Sequence, residues 1–178
     1  MLRYTFIYGA IIGMVVIAFM VAVLAVQGGD DVFSSELAGY AVMLAVLSLV
    51  FVGIKRFRDI EYGGVITFVQ GAGVGIGISA VAGLFYAIGW EFFLYATDFA
   101  FIETYSNSLR AEIDEQALSS SERAAKLAEI DAGAAMYRNP LIRLPITFIE
   151  IFPVGVAVAL VSALILRNSK VLPAKARS

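Results

Sequence analysis

The sequence predicts an all-α membrane protein: four transmembrane helices, with an extracytoplasmic helical hairpin between helices 3 and 4. Three observations carry this expectation. First, apolar stretches run over Thr5–Val26, Leu37–Ile54, Val65 to about Tyr86, and Pro145–Leu166. Each has about 18 to 22 residues, close to the ~20 a helix needs to cross ~30 Å of hydrocarbon. Second, hydrophobic residues make up 60% of the 178-residue chain and charged residues 16%, with a mean hydropathy of +0.85. Soluble domains are only about half apolar. Third, the segment between the last two stretches is polar but carries apolar residues every three or four positions, the mark of amphipathic helices. A backbone in lipid must close its own hydrogen bonds, so the long apolar stretches are read as helices and not strands. The expected organisation is a single membrane domain over 1–178, with the hairpin inserted at 98–139.

The first stretch follows Arg3 and is too long for the 7–15-residue core of a signal peptide. No clean A-x-A cleavage site follows it, so it reads as a retained helix. It contains Gly9-x-x-x-Gly13. The second stretch ends at the basic run Lys55, Arg56 and Arg58. Those charges stop a helix at the membrane surface, and Asp59 pairs locally with Arg56 or Arg58. Gly63-Gly64 permits a tight turn into the third stretch.

The third stretch is rich in glycine. Gly71, Gly75, Ser79 and Gly83 lie four apart and form one ridge, widened by Gly73 and Gly77. A phosphate-cradling loop is the rival reading, but no GK[ST] ending or preceding soluble strand supports it. Small-residue ridges let helix backbones approach closely in lipid. The fourth stretch carries its own ridge at Gly155, Ala159 and Ala163. These ridges predict packing within one chain, with an oligomer seam as the alternative. Aromatic residues from Phe85 to Tyr105, including Trp90, read as an interfacial belt.

In the segment between the third and fourth stretches, Ile102, Tyr105, Leu109, Ile113 and Gln116/Ala117 form one stripe. Ser119-Ser120-Ser121-Glu122 reads as a capping box, opening a helix that bears Leu127, Ile130, Ala134 and Tyr137. Arg110–Asp114 and Glu122–Lys126 have helical ion-pair spacing. Asn139-Pro140 ends this helix, because proline disfavours helical geometry in the residue before it. The absence of a polar break between Tyr86 and Phe99 predicts that helix 3 runs on into the first arm. The arms are expected to pack antiparallel, either as a spacer or as a docking surface.

Basic residues set the orientation. Arg3, Lys55, Arg56, Arg58, Arg167, Lys170, Lys175 and Arg177 fall on one side of a four-span chain. The first loop carries Asp30, Asp31 and Glu36, and the long segment holds eight acids from Asp98 to Asp131. The positive-inside rule then puts both termini in the cytoplasm.

Intramembrane polar residues are costly, which makes them candidate sites. Glu150 leads, lying about 24 Å from Leu166 at helical rise. Pro153 follows three residues later and, lacking an N–H, frees the Ile149 carbonyl and predicts a kink. Glu150 has two readings: a site for a proton, cation or substrate, or a packing residue bonded to Tyr8, Tyr40, Tyr86 or Thr147. Glu91 is a second candidate near the outer interface, and the spacing leaves open whether the two carboxylates meet. Gln70 reads as an interhelical hydrogen-bonding group.

The chain has no cysteine and no histidine. Thiol chemistry, disulfides, imidazole bases and the usual zinc sites are excluded. A net charge of −2 gives no electrostatic footprint for nucleic acid. No cofactor, metal or catalytic motif is expected.

The runs Val52-Gly53-Ile54-Lys55-Arg56-Phe57-Arg58-Asp59 and Gly63-Gly64-Val65-Ile66-Thr67-Phe68 resemble a family of bacterial membrane proteins known as the domain of unknown function 4199. Thr147-Phe148-Ile149-Glu150-Ile151-Phe152-Pro153-Val154-Gly155 and Leu160 to Leu166 are similar to it as well. After Tyr95 the chain departs from the family pattern, with Thr97-Asp98-Phe99 where a proline-containing stretch is expected. The resemblance implies four transmembrane helices and a bacterial inner membrane. It implies no activity and no catalytic residues. The expected function is therefore non-enzymatic: a membrane protein that assembles with itself or with a membrane-protein partner. The alternative is a small oligomeric transporter or channel using Glu150. A lipid-acting enzyme ranks last.

Overall fold

The structure is a computed structural model describing residues 1–27 and 36–174, with side chains for 1–22 and 41–174. Asp30, Asp31, Lys175 and Arg177 lie outside the described residues, as do the side chains of Glu36 and Tyr40. The elements are α1 (Leu2–Gln27), α2 (Glu36–Leu47), α3 (Leu49–Glu61), α4 (Phe68–Ala96), α5 (Ala100–Asp114), α6 (Ser120–Tyr137) and α7 (Pro140–Leu166). The regular structure of the described residues is these seven helices, without strands.

Three of these helices, α1, α4 and α7, are each long and apolar enough to cross a membrane. The second apolar stretch is split at Ser48 into α2 and α3, neither of which is long enough alone. The interruption is slight. Ser48 keeps helical dihedrals, and its N–H still bonds the Leu44 carbonyl at 2.9 Å. Its hydroxyl turns back to the Ala45 carbonyl at 2.6 Å, and Phe51 N–H reaches back only three residues, to Ser48. A serine hydroxyl competing for helix carbonyls locally tightens or bends the ladder.

The termini of the long helices differ from the sequence reading for identifiable reasons. Helix α4 does not run on into α5. It stops at Thr97, where Phe99 N–H bonds the Leu94 carbonyl at 2.8 Å and Asp98 N–H points to Tyr95. This is the Schellman pattern, with Asp98 (φ 49°) where glycine is usual and Phe99 (φ 61°) also left-handed. At the other end, Thr67 and Gln70 form a reciprocal capping box. Gln70 therefore caps its own helix and does not bridge two. Helix α7 begins at Pro140, five residues earlier than expected, with the Asn139 side chain accepting from Leu141 N–H at 3.0 Å. Proline suits this first position because its missing N–H has no helical partner. The helix then continues through both Pro145 and Pro153.

Helix α4 is the centre of the bundle and uses two faces. On one, a Cβ added to Gly75 would lie 2.7 Å from the Ala159 Cβ, and one on Gly155 2.7 Å from the Ser79 Cβ. Gly71 meets Ala163, and Gly83 meets the Phe148 ring. On the other, Gly9 and Gly13 of α1 would each place a Cβ 2.5 Å from α4 side chains, Val81 and Phe85. Only bare backbones fit at these crossings.

Large apolar side chains cover much of the exterior as well as the core. Ser79, Thr147 and Ser162 are buried, while Phe6, Met14, Phe19, Val69, Leu84, Ile88, Phe92 and Ile149 are exposed. A water-soluble fold hides such side chains, and exposed apolar surface on this scale marks an interface or a lipid contact.

One end of the bundle gathers Met1, the end of α3, the start of α4 and the end of α7. Tyr4 Oη donates to Glu61 at 2.8 Å. Arg58, fully buried, bonds the carbonyls of Val171 at 2.9 Å and Leu172 at 2.6 Å, and Asp59 at 2.7 Å. It was read as a topology charge. Its role in the fold is to hold the chain beyond α7 through those carbonyls, while also reaching the Leu166 carbonyl, an orphan acceptor at the end of α7, at 3.4 Å. Arg3, Arg56, Arg167 and Lys170 stand exposed around it, and Lys55 pairs with Asp59.

Candidate groove between the paired helices and the bundle

Helices α5 and α6 lie against each other at the opposite end. Ser119 and Glu122 cap α6 reciprocally. The ion pairs join the two helices and do not run along either one, as the sequence spacing suggested. Arg110 bonds Asp131, Arg123 bonds Asp114, and Arg138 reaches Glu103 at 3.3 Å. Lys126 donates to Gln116. All these groups are exposed, so each contact is worth little alone.

The junction with the bundle is stronger. Arg143, fully buried on α7, forms a two-pronged ion pair with Glu91 of α4, at 2.6 and 2.5 Å. Its third contact is the Tyr137 carbonyl at 2.7 Å. The guanidinium also lies 5.4 Å from the centre of the Phe99 ring and 5.8 Å from that of Tyr137. Arg143 thus ties together the end of α4, the entry to α5 and the exit of α6. The sequence reading assigns it no role. The available signal was its place, with Glu91, at the outer end of an adjoining apolar run: opposite charges at matching depth. Trp90 completes the junction, donating to Tyr137 Oη at 2.9 Å and stacking on Phe93 at 5.2 Å.

Above this junction opens a cavity of about 760 Å³, within the range of small-molecule sites. Ile102, Leu109 and Ile113 of α5 and Ile130 and Ala134 of α6 form its walls. Met20, Tyr86, Trp90 and Glu150 line it from the bundle side. The span from Ile102 to Ile113 is about 16 Å at helical rise.

The two candidate carboxylates do not share a site. Glu91 is held by Arg143 and is not part of the cavity lining. Glu150 is exposed to the cavity, with no hydrogen bond or ion pair among the described residues. Tyr86 donates instead to Met20 Sδ at 3.8 Å. The Thr147 hydroxyl is buried without a partner. Pro153 is exposed one turn below Glu150. Gly9, Gly13, Gly71, Gly75, Ser79, Gly83, Gly155 and Ala159 form the two seams around α4 and do not reach the cavity. Neighbouring helices of the same chain occupy those ridges. Among the described residues no three acidic side chains converge to form a metal cage.

Residues 7–168 match the family described as Protein of unknown function (DUF4199). The chain belongs to that family. No curated protein and no solved structure matches it.

Proposed function

We propose that this family member is a four-span bacterial inner-membrane protein that binds an apolar partner and does not convert one. In this reading α1, the bent α2–α3 pair, α4 and α7 each cross the bilayer. Residues 36–61 give about 39 Å of helix path, enough for one crossing. Both termini face the cytoplasm, because Arg3, Lys55, Arg56, Arg167 and Lys170 share one end. The α5–α6 hairpin stands on the other side, and the exposed aliphatic side chains face lipid.

The observation that carries the binding reading is the apolar groove under the hairpin. Its walls come from three parts of the fold, and its charged residues are few. Aromatic and aliphatic lining around a small number of polar groups is the usual make-up of a ligand site. The alternative, an oligomeric transporter using Glu150, draws support from the same groove. The tight seams between α4 and its neighbours weigh against a path through one chain.

Two measurements on purified protein separate these readings. The neutral probe N-phenyl-1-naphthylamine is expected to bind saturably, and Gly133→Leu, which adds bulk on the groove lining, to weaken that binding. Liposomes containing the protein are expected to show no proton or ion flux. Flux lost in Glu150→Gln at unchanged folded yield would replace binding with transport.

A further inference from the structure

We infer that the groove selects a hydrophobic organic cation, such as an amine or quaternary ammonium on an apolar body, with the Glu150 carboxylate as its counter-ion. This rests on the binding reading above and adds the charge of the ligand.

The charges in the groove are unbalanced. Glu112, Glu129 and Glu150 line it, against a single cation, Lys126, which is engaged with Gln116 at 2.8 Å. The buried carboxylate next to this region, Glu91, is neutralised by Arg143. Glu150 has no such partner among the described residues. Glu150 instead faces the groove as an unpaired carboxylate among apolar and aromatic walls, and a bound cation matches it by charge complementarity. Glu112 and Glu129 lie farther out on exposed arms. Charges of one sign around a cleft raise the local concentration of the opposite ion. The walls suit the same ligand. Tyr86, Trp90, Phe101, Tyr105 and Tyr137 surround the space, and aromatic faces attract cations most strongly where water is excluded. An anion would face the Glu150 carboxylate there, and a neutral ligand would leave it unpaired.

Two features make the site easy to examine. Trp90 is the single tryptophan of the chain and lines the groove, so its emission reports occupancy. A Cβ added at Gly133, also on the lining, meets nothing within 4 Å. A side chain added there starts from open space on the groove lining.

The test places the full-length chain in nanodiscs of zwitterionic lipid and follows Trp90 emission during titration. The ligands are tetraphenylphosphonium and tetraphenylborate, equal in shape and opposite in charge. A saturable response to the cation is expected, at least tenfold tighter than any response to the anion. Glu150→Gln and Gly133→Leu are each expected to weaken cation binding at least tenfold, neither with a lowered unfolding midpoint. Equal affinity for the two ions, or a Glu150→Gln chain that binds like the parent, overturns the inference. If Glu150→Gln does not accumulate, the ratio of the two ions on the parent chain decides alone. Saturable uptake of the neutral naphthylamine probe without any of the cation rejects the charge preference and leaves the binding reading standing. Saturation by none of the three rejects both.

Discussion

Replacing Glu91 by Gln tests the junction that holds the hairpin to the bundle. Arg143 is fully buried, and the side chain of Glu91 is only 14% exposed. The substitution keeps shape and one acceptor but removes the compensating charge. Arg143 then remains ionised in an apolar setting, since a guanidinium does not deprotonate in proteins. Breaking a buried pair on one side costs about 3–5 kcal/mol. The Tyr137 carbonyl and the rings of Phe99 and Tyr137 still touch the guanidinium, which favours the lower end of that range. Arg143→Met leaves Glu91 unpaired and is expected to cost a similar amount. The double variant Glu91→Leu/Arg143→Met removes both charges and is expected to recover most of the loss, as replaced buried pairs often do. Urea or thermal unfolding in mixed micelles, arranged as a double-mutant cycle, gives the coupling energy. Trp90 emission reports locally, because the Trp90–Tyr137 bond spans the same junction. Single variants within about 1 kcal/mol of the parent, with no coupling, would refute the reasoning. They would mean that the pair is solvated.

Four further predictions follow from local geometry. Gly75→Val is expected to cost at least the 1–3 kcal/mol typical of overpacking, because its Cβ would meet Ala159 and Ile54 at 2.7 Å. Gly133→Ala, in open space on a helix, is expected to stabilise by up to about 1 kcal/mol, and unfolding midpoints check both. Asp98→Gly is expected to stabilise by about 1 kcal/mol, since it removes the penalty of φ 49° at an exposed position. An unchanged or lower midpoint would contradict it. Glu122 has its carboxyl held below the ordinary value by the Ser119 hydroxyl, with the Ser119 N–H adding to the effect. Its contribution to α6 is therefore complete above the ordinary carboxylate range and disappears as pH falls below it. Amide protection at the start of α6, corrected for the intrinsic pH dependence of exchange, should fall on acidification in the parent and stay constant in Glu122→Gln.

Features set by neighbours in sequence were legible before the fold was known. The Ser119–Glu122 cap involves residues three apart, and the α6 N-terminus begins there. The four-residue spacing of Gly71, Gly75, Ser79 and Gly83 marks one face of a helix wherever it packs. Its partner face on α7 was visible by the same rule. The apolar runs of α1, α4 and α7 stand out because lipid-length hydrophobicity needs no tertiary context. What was hidden depended on distant residues. Arg110 chooses Asp131 over Asp114 because α6 presents that carboxylate across the pair. Arg58 turns inward because the chain after α7 returns its carbonyls to that spot. Arg143 and Glu91 are 52 positions apart, so only the apposition of α4 and α7 makes them a pair. The end of α4 was missed because Asp98 and Phe99 adopt left-handed geometry without glycine, which leaves no residue-type signal. The separation of Glu150 from Glu91 follows from the same ion pair. The groove itself needs α5 and α6 folded back over the bundle.

The account depends most on which parts of the chain lie on which side of a bilayer. The native chain has no cysteine, so single substitutions can be read without background. Ser120→Cys, Arg56→Cys and Arg167→Cys, expressed one at a time in intact bacterial cells, should be treated with a membrane-impermeant maleimide. Labelling of Ser120→Cys from outside, with Arg56→Cys and Arg167→Cys reacting only after permeabilisation, is the predicted result. External labelling at Arg56 or Arg167, or protection at Ser120, would contradict the four crossings and remove the groove from the far side of the membrane.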